Sequence, residues 1–398
     1  MYEEAFVWEM SNIKLLYPHN IPLHNNQANI IQVLHMCNAF QKNGIDTTLV
    51  IPVAFHSKDK EIKKIIEEKL GTPPLFEIVK IRQYNIFGRG AALCAAITFI
   101  KKFYNQNTFD YCFTRSIFTN HFALKIFKNV IFEAHGSVLQ TNSLFLNKIY
   151  TKVLIKDSLR PNQKLFITIS QALAQIWESF GVPEKKIYVS HDGVSSDDCN
   201  ITLSKNKALS YLKIRTNNKI VTYAGSLYRD RGIGEILKLA QEFPDVSFLI
   251  VGGPDIEKEY YQSRCIQSQI YNISFIGHVP HNKIKYYLAA ADVLLMMWSW
   301  DVPTIDICSP LKVFEYMASG RVIVGYSFPT IKEILVDGYN ALLASPDNFK
   351  ELKEKLNTAL LLNYPNQLSV NSKRHVVENF TWEKRANNII RKINSTSD

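Results

Sequence analysis

Two runs of short apolar segments alternate with helix-length segments along the chain, and a polar, turn-forming stretch at 190–198 divides them. In the first run, strand-like segments fall at 13–17, 47–51, 76–81, 111–114, 130–134 and 165–169. A helix is expected at 28–42, stopped by Gly44, a residue that readily adopts the left-handed conformation of a helix end. The second run opens at 220–224 and continues at 246–251, 273–276, 292–297 and 321–325, with helices such as 233–243 and 283–290 between. Apolar strands joined by crossover helices form parallel sheets covered on both faces, so the chain reads as α/β with two doubly wound parallel sheets. Its 398 residues suit that division, since domains usually run to about 100–200 residues. The sequence alone assigns the last helical segment, 382–393, to neither lobe.

Charge placement narrows the function classes. The formal net charge is +10, and between Lys80 and Lys164 thirteen Lys or Arg meet only Asp110, Glu133 and Asp157, so this stretch carries the whole excess. Aromatic residues are interleaved there, as in Phe99-Ile100-Lys101-Lys102-Phe103-Tyr104 and Phe145-Leu146-Asn147-Lys148-Ile149-Tyr150. Such a mixture suits an anionic membrane surface, where each basic residue is worth about 1 kcal/mol. The competing reading is a solvated basic face over core aromatics. No nucleic-acid recognition module is readable, so nucleic acid is not expected as a partner. The longest apolar run, 91–100, is half of the roughly 20 residues that cross a bilayer. Glu3, Glu4 and Glu9 make the N-terminus unlike a secretory signal, and the six cysteines form no C-x-x-C pair, so a cytoplasmic setting is expected.

Three segments are candidates for chemistry. In Ser309-Pro310-Leu311-Lys312-Val313-Phe314-Glu315-Tyr316-Met317-Ala318-Ser319-Gly320, Ser309 is expected to cap a helix, Pro310 to occupy its first position and Gly320 to stop it. The free N–H groups of such a helix start form an anion site, to which Lys312 adds a charge. Glu315 lies about 7.5 Å along the axis from Pro310, at ~1.5 Å per residue, a spacing that matches a diphosphate at the tip and a ribose within reach of a carboxylate. The segment Tyr223-Ala224-Gly225-Ser226-Leu227-Tyr228-Arg229-Asp230-Arg231-Gly232 joins a strand end to a helix, where α/β sheets bind ligands and two arginines can clamp a pyrophosphate. Phe132-Glu133-Ala134-His135-Gly136 ends a strand of the first lobe, and His135 there can donate to a substrate hydroxyl or phosphate; a satisfied structural histidine is the alternative. Gly88-Arg89-Gly90 lacks the third glycine of a dinucleotide fingerprint, and there is no Walker lysine, H-E-x-x-H, G-x-S-x-G or D-x-D motif. Neither a metal nor a cofactor is expected.

In this order and at these spacings the segments resemble the nucleotide-sugar glycosyltransferases of the B fold, and within them the large retaining family 4, or glycosyl transferases group 1. The resemblance also rests on Tyr17-Pro18 leading to Gln27-Ala28-Asn29-Ile30-Ile31-Gln32-Val33, on Val251-Gly252-Gly253, on Glu333-Ile334-Leu335 and on Phe380-Thr381-Trp382-Glu383. It implies two facing Rossmann-like domains: 1–195 binding the acceptor, 196–380 binding the sugar nucleotide, and a helix at 381–398 crossing back to the first. It further implies retention through front-face attack, with Glu315 holding the ribose, the backbone at Leu311 and Lys312 meeting the diphosphate, and Ser309 beside them. Arg231 takes the place of the family's phosphate-binding lysine, His135 touches the donor sugar or its phosphate, and the turn Gly277-His278-Val279 meets the base.

Three positions depart from the family pattern. The first of its paired glutamates falls on Ile307, with Asp306 beside it. The family's loop arginine falls on Ser226, which leaves Arg229 or Arg231 to supply the charge. His24-Asn25-Asn26-Gln27 replaces the glycine-rich loop, making Asn25 and Asn26 the donor contacts there. The expected activity is transfer from a nucleotide-sugar, UDP-sugar ahead of GDP-sugar, to a glycan or lipid-linked acceptor in cell-surface polysaccharide or glycoconjugate synthesis, at the inner face of the plasma membrane. The alternatives are a catalytically degenerate nucleotide-sugar-binding subunit and an epimerase or hydrolase on the same fold.

Overall fold

The strands pair in the order that crossover helices impose on a parallel sheet. The computed structural model describes residues 13–20, 28–54, 57–83, 99, 102–103, 108–136, 144–200 and 203–395. The chain divides into two units, one running to Asp192 and resuming at Trp382, the other Gly193–Thr381. It leaves the first unit at Asp192 rather than after Ser195.

In the first unit, β1 (Lys14–Pro18), β2 (Asp46–Ala54), β3 (Glu77–Gln83), β4 (Tyr111–Thr114), β5 (Val130–Ala134), β6 (Gln163–Thr168) and β7 (Ile187–Val189) form one sheet in the order β3-β2-β1-β4-β5-β6-β7. The pairs are parallel, with Leu15 beside both Thr47 and Tyr111. Leu16, Tyr17, Phe113, Ile131 and Phe166 are fully buried, as strands covered on both faces require. Strand order reverses between β1 and β4, which opens a crevice at the carboxyl ends of the strands. The sequence reading missed β7, only three half-buried residues.

The helix Ala28–Lys42 buries Ile30, Val33, Leu34, Cys37 and Phe40. The last helix, Trp382–Asn394, turns Trp382, Ala386, Ile389, Ile390 and Ile393 into this unit. There the Trp382 ring stacks on His35 at 6.1 Å, and Lys42 pairs with Glu383 at 3.0 Å. Tertiary packing thus settles which unit takes the segment at 382–393.

The second unit holds β8 (Ile220–Ala224), β9 (Ser247–Val251), β10 (Ile273–Gly277), β11 (Val293–Met296), β12 (Val322–Tyr326) and β13 (Leu342–Ala344), in the order β10-β9-β8-β11-β12-β13. These strands are also parallel, and the order reverses between β8 and β11. The helices Ile233–Glu242, Asp255–Gln267, His281–Ala290 and Leu311–Ser319 follow strands within this unit. Two glycines permit its close approaches: a Cβ on Gly252 would lie 1.7 Å from the Gly225 carbonyl oxygen, and one on Gly325 2.3 Å from that of Met296.

One expectation about the helix Leu311–Ser319 is corrected. Pro310, not Ser309, occupies the N-cap, with extended φ −78° and ψ 114° and no capping side chain. Ser309 precedes the cap by one residue and is buried. The helix ends as expected, at Gly320 in the left-handed conformation.

Candidate functional site

Tyr316 fixes the Leu311–Ser319 helix against the end of β8. Its buried hydroxyl accepts from the Ala224 N–H at 2.8 Å and lies 3.1 Å from the Ala224 carbonyl, to which it donates. The first turn of the helix therefore points at the reversal of strand order, where the leading N–H groups of any helix lack an intrahelical acceptor.

Lys312, in that first turn, is the pivotal side chain. Its ammonium lies 4.6 Å from the Tyr223 ring centroid and 5.4 Å from that of Trp298, with the Met297 carbonyl at 3.4 Å and the Tyr223 hydroxyl at 3.5 Å. It forms no ion pair among the described residues. Burial, and then the Arg231 guanidinium, push its pKa from 10.5 down to about 7. Arg231 faces the same Trp298 ring at 6.0 Å, with Asp230 3.3 Å from its Nε. Two cations sharing an aromatic wall at a helix start favour an anion between them.

One helical turn further on, Glu315 Oε1 meets His281 Nε2 at 2.8 Å, at the start of the helix His281–Ala290. Asp198 is close enough to feel both, and burial raises its pKa. The sequence reading gives neither His281 nor Asp198 a place at the site: Asp198 reads as part of the turn-forming stretch at 190–198, and a single histidine after a proline carries no pattern, so only the fold sets His281 against Glu315.

The other expected donor contacts are placed as follows. Arg229 is exposed and turns to the Asp255–Gln267 helix, stacking on the Tyr260 ring at 4.7 Å and lying 3.8 Å from Glu257. Of the two arginines left open by the sequence, only Arg231 is therefore brought to Lys312. Ser226 contributes its carbonyl, which accepts from the Tyr223 hydroxyl at 2.8 Å. Gly277, with φ 86°, turns the chain so that His278 is exposed and Val279 packs on the core. Leu311 is half-buried beside Lys312. Ile307 is buried and Asp306 exposed. Asn25 and Asn26 lie outside the described residues.

His135 belongs to the first unit and sits just after β5. Its Nε2 is 2.5 Å from Oε1 of Glu133, a fully buried carboxylate. Glu133 Oε2 accepts from Arg385 Nη2 at 2.8 Å, and Arg115 lies 3.3 Å from Oε1. Burial alone would raise the Glu133 pKa, but Arg385, His135 and Arg115 outweigh it and hold the carboxyl well below the usual range. Burial, with Arg115, pushes His135 down to about 4. The Gln32 amide donates to both Glu133 (3.0 Å) and Asp192 (2.7 Å). Burial raises Asp192 to about 7.

Among the described residues no group of three or more His, Cys, Asp or Glu is arranged to hold a metal ion. No helix of the described residues is long and apolar enough to cross a membrane.

Residues 205–375 match the family model described as glycosyl transferases group 1, and residues 31–198 match that of glycosyltransferase family 4. An uncharacterized glycosyltransferase of Methanocaldococcus jannaschii is 26% identical over 336 residues, covering 78% of this chain and 80% of its own. The N,N'-diacetylbacillosaminyl-diphospho-undecaprenol α-1,3-N-acetylgalactosaminyltransferase of Campylobacter jejuni is 24% identical over 208 residues, 49% of this chain and 50% of its own. Among solved structures, Anabaena HepE in complex with UDP and glucose superposes with a TM-score of 0.72 at 15% identity, covering 96% of this chain and 100% of that one. At that identity the structural likeness speaks for the fold, two parallel-sheet α/β domains.

Proposed function

The chain belongs to the glycosyl transferases of group 1 and family 4, with the B fold, and from that premise we propose that it transfers a sugar from a nucleoside-diphosphate sugar to a glycan or lipid-linked glycan with retention of configuration. The observation that carries the donor side is Lys312: a cation without an acid partner, beside Arg231, at a helix start aimed into the strand-order reversal. A diphosphate supplies the missing charge through paired and charge-assisted hydrogen bonds. Glu315, one turn along, takes the ribose hydroxyls, and Ser309, Leu311, Ser226, His278 and Val279 complete the donor contacts. With Arg231, Lys312 and the helix dipole neutralising the leaving diphosphate, no metal is required. UDP is favoured as the base-bearing half, supported by the Anabaena neighbour, which carries UDP. The lipid-linked acceptor is supported by the Campylobacter relative, whose name specifies a diphospho-undecaprenol.

Attachment to an anionic membrane is supported by the helix Leu144–Ser158. Phe145, Lys148, Ile149, Lys152 and Lys156 follow helical spacing along one exposed face, with Phe145 71% exposed. Asp157 is buried and paired with His121 and Arg160, so it does not offset these lysines. Basic residues with interleaved apolar side chains fit a headgroup boundary.

A thermal-shift panel of UDP, GDP, ADP, CMP and their sugar adducts, with Glu315→Ala alongside, tests the donor assignment. Ligand at about 100 times Kd adds ~2.7 kcal/mol to the native state. Stabilisation of the wild type by one base, reduced in the variant, is expected. The anomeric configuration of the product then decides retention, and activity in a chelator decides metal independence. Donor binding with no turnover on any acceptor would mark a degenerate subunit, and turnover without acceptor a hydrolase or epimerase.

A further inference from the structure

The contact between Glu133 and His135 determines what the histidine can offer a ligand. A carboxylate only accepts hydrogen bonds, and a neutral imidazole has one N–H and one bare nitrogen. Glu133 is kept ionised by Arg385, whose guanidinium also donates to the carbonyls of Ser190 at 3.0 Å and His191 at 2.7 Å, so the cation is locked on three acceptors. The hydrogen in the 2.5 Å contact must then come from the His135 ring, at Nε2. On the other side of the turn, Trp177 Nε1 donates to the Gly136 carbonyl at 3.1 Å, which holds the backbone that carries the ring.

We infer that Glu133, anchored by Arg385, fixes His135 in the neutral Nε2–H tautomer, so that Nδ1 is a hydrogen-bond acceptor for a substrate hydroxyl and not a donor to a phosphate. Glu133 and Arg385 are thereby positioning residues. This rests on the transferase reading and on the expectation, carried by the family resemblance, that His135 touches substrate, and it reverses the donor role expected of His135 from sequence. The groups that face the Glu133–His135 pair are Tyr17 and His19 at the end of β1, Gln32 on the first helix, Arg115 after β4, Asp192 after β7 and Arg385. Arg115 and Arg385 oppose a third positive charge on the ring, in keeping with a His135 pKa of about 4.

The test is long-range ¹H–¹⁵N NMR of the full chain with labelled histidine, His135→Asn supplying the assignment. Expected is a ring with a protonated Nε2 and a bare Nδ1, unchanged between about pH 8 and pH 5. A protonated Nδ1, or a cationic ring at neutral pH, overturns the inference. In Glu133→Gln the side-chain amide can also donate to Nε2, so mixed tautomers are expected, with kcat lower by roughly tenfold and the donor KM little changed. A pure Nε2–H ring with full kcat in that variant would likewise overturn it. Arg385→Lys keeps a cation on Glu133 and should keep the tautomer. Arg385→Met, if it folds, should raise the His135 titration midpoint by at least about one pH unit. Should the tautomer be as inferred while His135→Asn retains full kcat, the failure lies in the substrate contact rather than in the geometry.

Discussion

Lys312 and Arg231 present their charges to the same Trp298 ring, the ammonium 5.4 Å and the guanidinium 6.0 Å from its centroid. Two like charges on one wall cost the empty protein stability and favour an anionic ligand.

The pH consequence follows from Lys312. Its folded midpoint of about 7 lies below its ordinary 10.5, so the charged form costs stability below about pH 7, and the cost fades as pH rises through the interval. Lys312→Met is expected to gain roughly 1 kcal/mol at about pH 6, or ~2–4 °C in Tm, and to lose nucleotide binding. At about pH 8 the wild type should take up close to one proton when UDP binds, because the diphosphate restores the ammonium. Calorimetry in two buffers of different ionisation enthalpy measures this; no uptake would mean that the diphosphate lies elsewhere.

Glu315→Ala removes a carboxylate expected to bind the ribose hydroxyls, and charge-assisted hydrogen bonds are worth about 1.5–3 kcal/mol. Donor affinity should fall by about 10–150-fold. His281→Gln, which keeps a donor near Glu315 Oε1, should cost less. Equal losses in the two variants would point to a direct ligand contact for His281.

Gly252 and Gly225 touch through their backbones, and a methyl group on Gly252 would overlap the Gly225 carbonyl. Gly252→Ala must displace the loop after β8, at a cost of about 3 kcal/mol. Denaturant titration should show the loss of stability, and weaker UDP binding should accompany it.

Asp192 titrates near 7 in the folded chain, against an ordinary value of 3.8. Its contribution is fully present below about pH 4 and is lost as pH rises through 7, where the buried carboxylate must ionise. Asp192→Asn can still accept from Gln32, and its Tm should gain on the wild type between about pH 4 and 7. A difference independent of pH would show that Asp192 is already ionised at the acid end.

Phe145→Glu with Ile149→Glu, both on the exposed face of the Leu144–Ser158 helix, should abolish flotation with vesicles containing phosphatidylglycerol. Both changes are solvent-exposed, so Tm should move by less than about 0.5 kcal/mol equivalent. Equal flotation with neutral vesicles, or none in the wild type, would remove the membrane clause and leave the enzyme assignment in place.

Most of the strand and helix order was legible, because burial on both faces of a parallel sheet writes continuous apolar runs into the chain. The short strands β7 and β13 were not, since three residues carry no period. Arg229 and Arg231 are indistinguishable in sequence, yet a 3₁₀ turn over Arg229–Arg231 points them apart, because residues two apart in a threefold helix differ by about 240°. Ser309 looked like a cap because Ser precedes Pro, but the helix begins one residue later than that pattern implies.

What the sequence by itself determined was local: hydrophobic periodicity, helix stops at glycine, and the placement of Lys312 three residues before Glu315 on one helix. What only the tertiary structure decided was which distant side chains meet. Lys312 is 89 residues from Tyr223, Glu315 34 from His281, and Glu133 252 from Arg385. Those pairings depend on strand order and on the unit that the last helix joins, and both are set by burying apolar faces against each other, a contest of whole surfaces that leaves no signature at the polar residues it brings together.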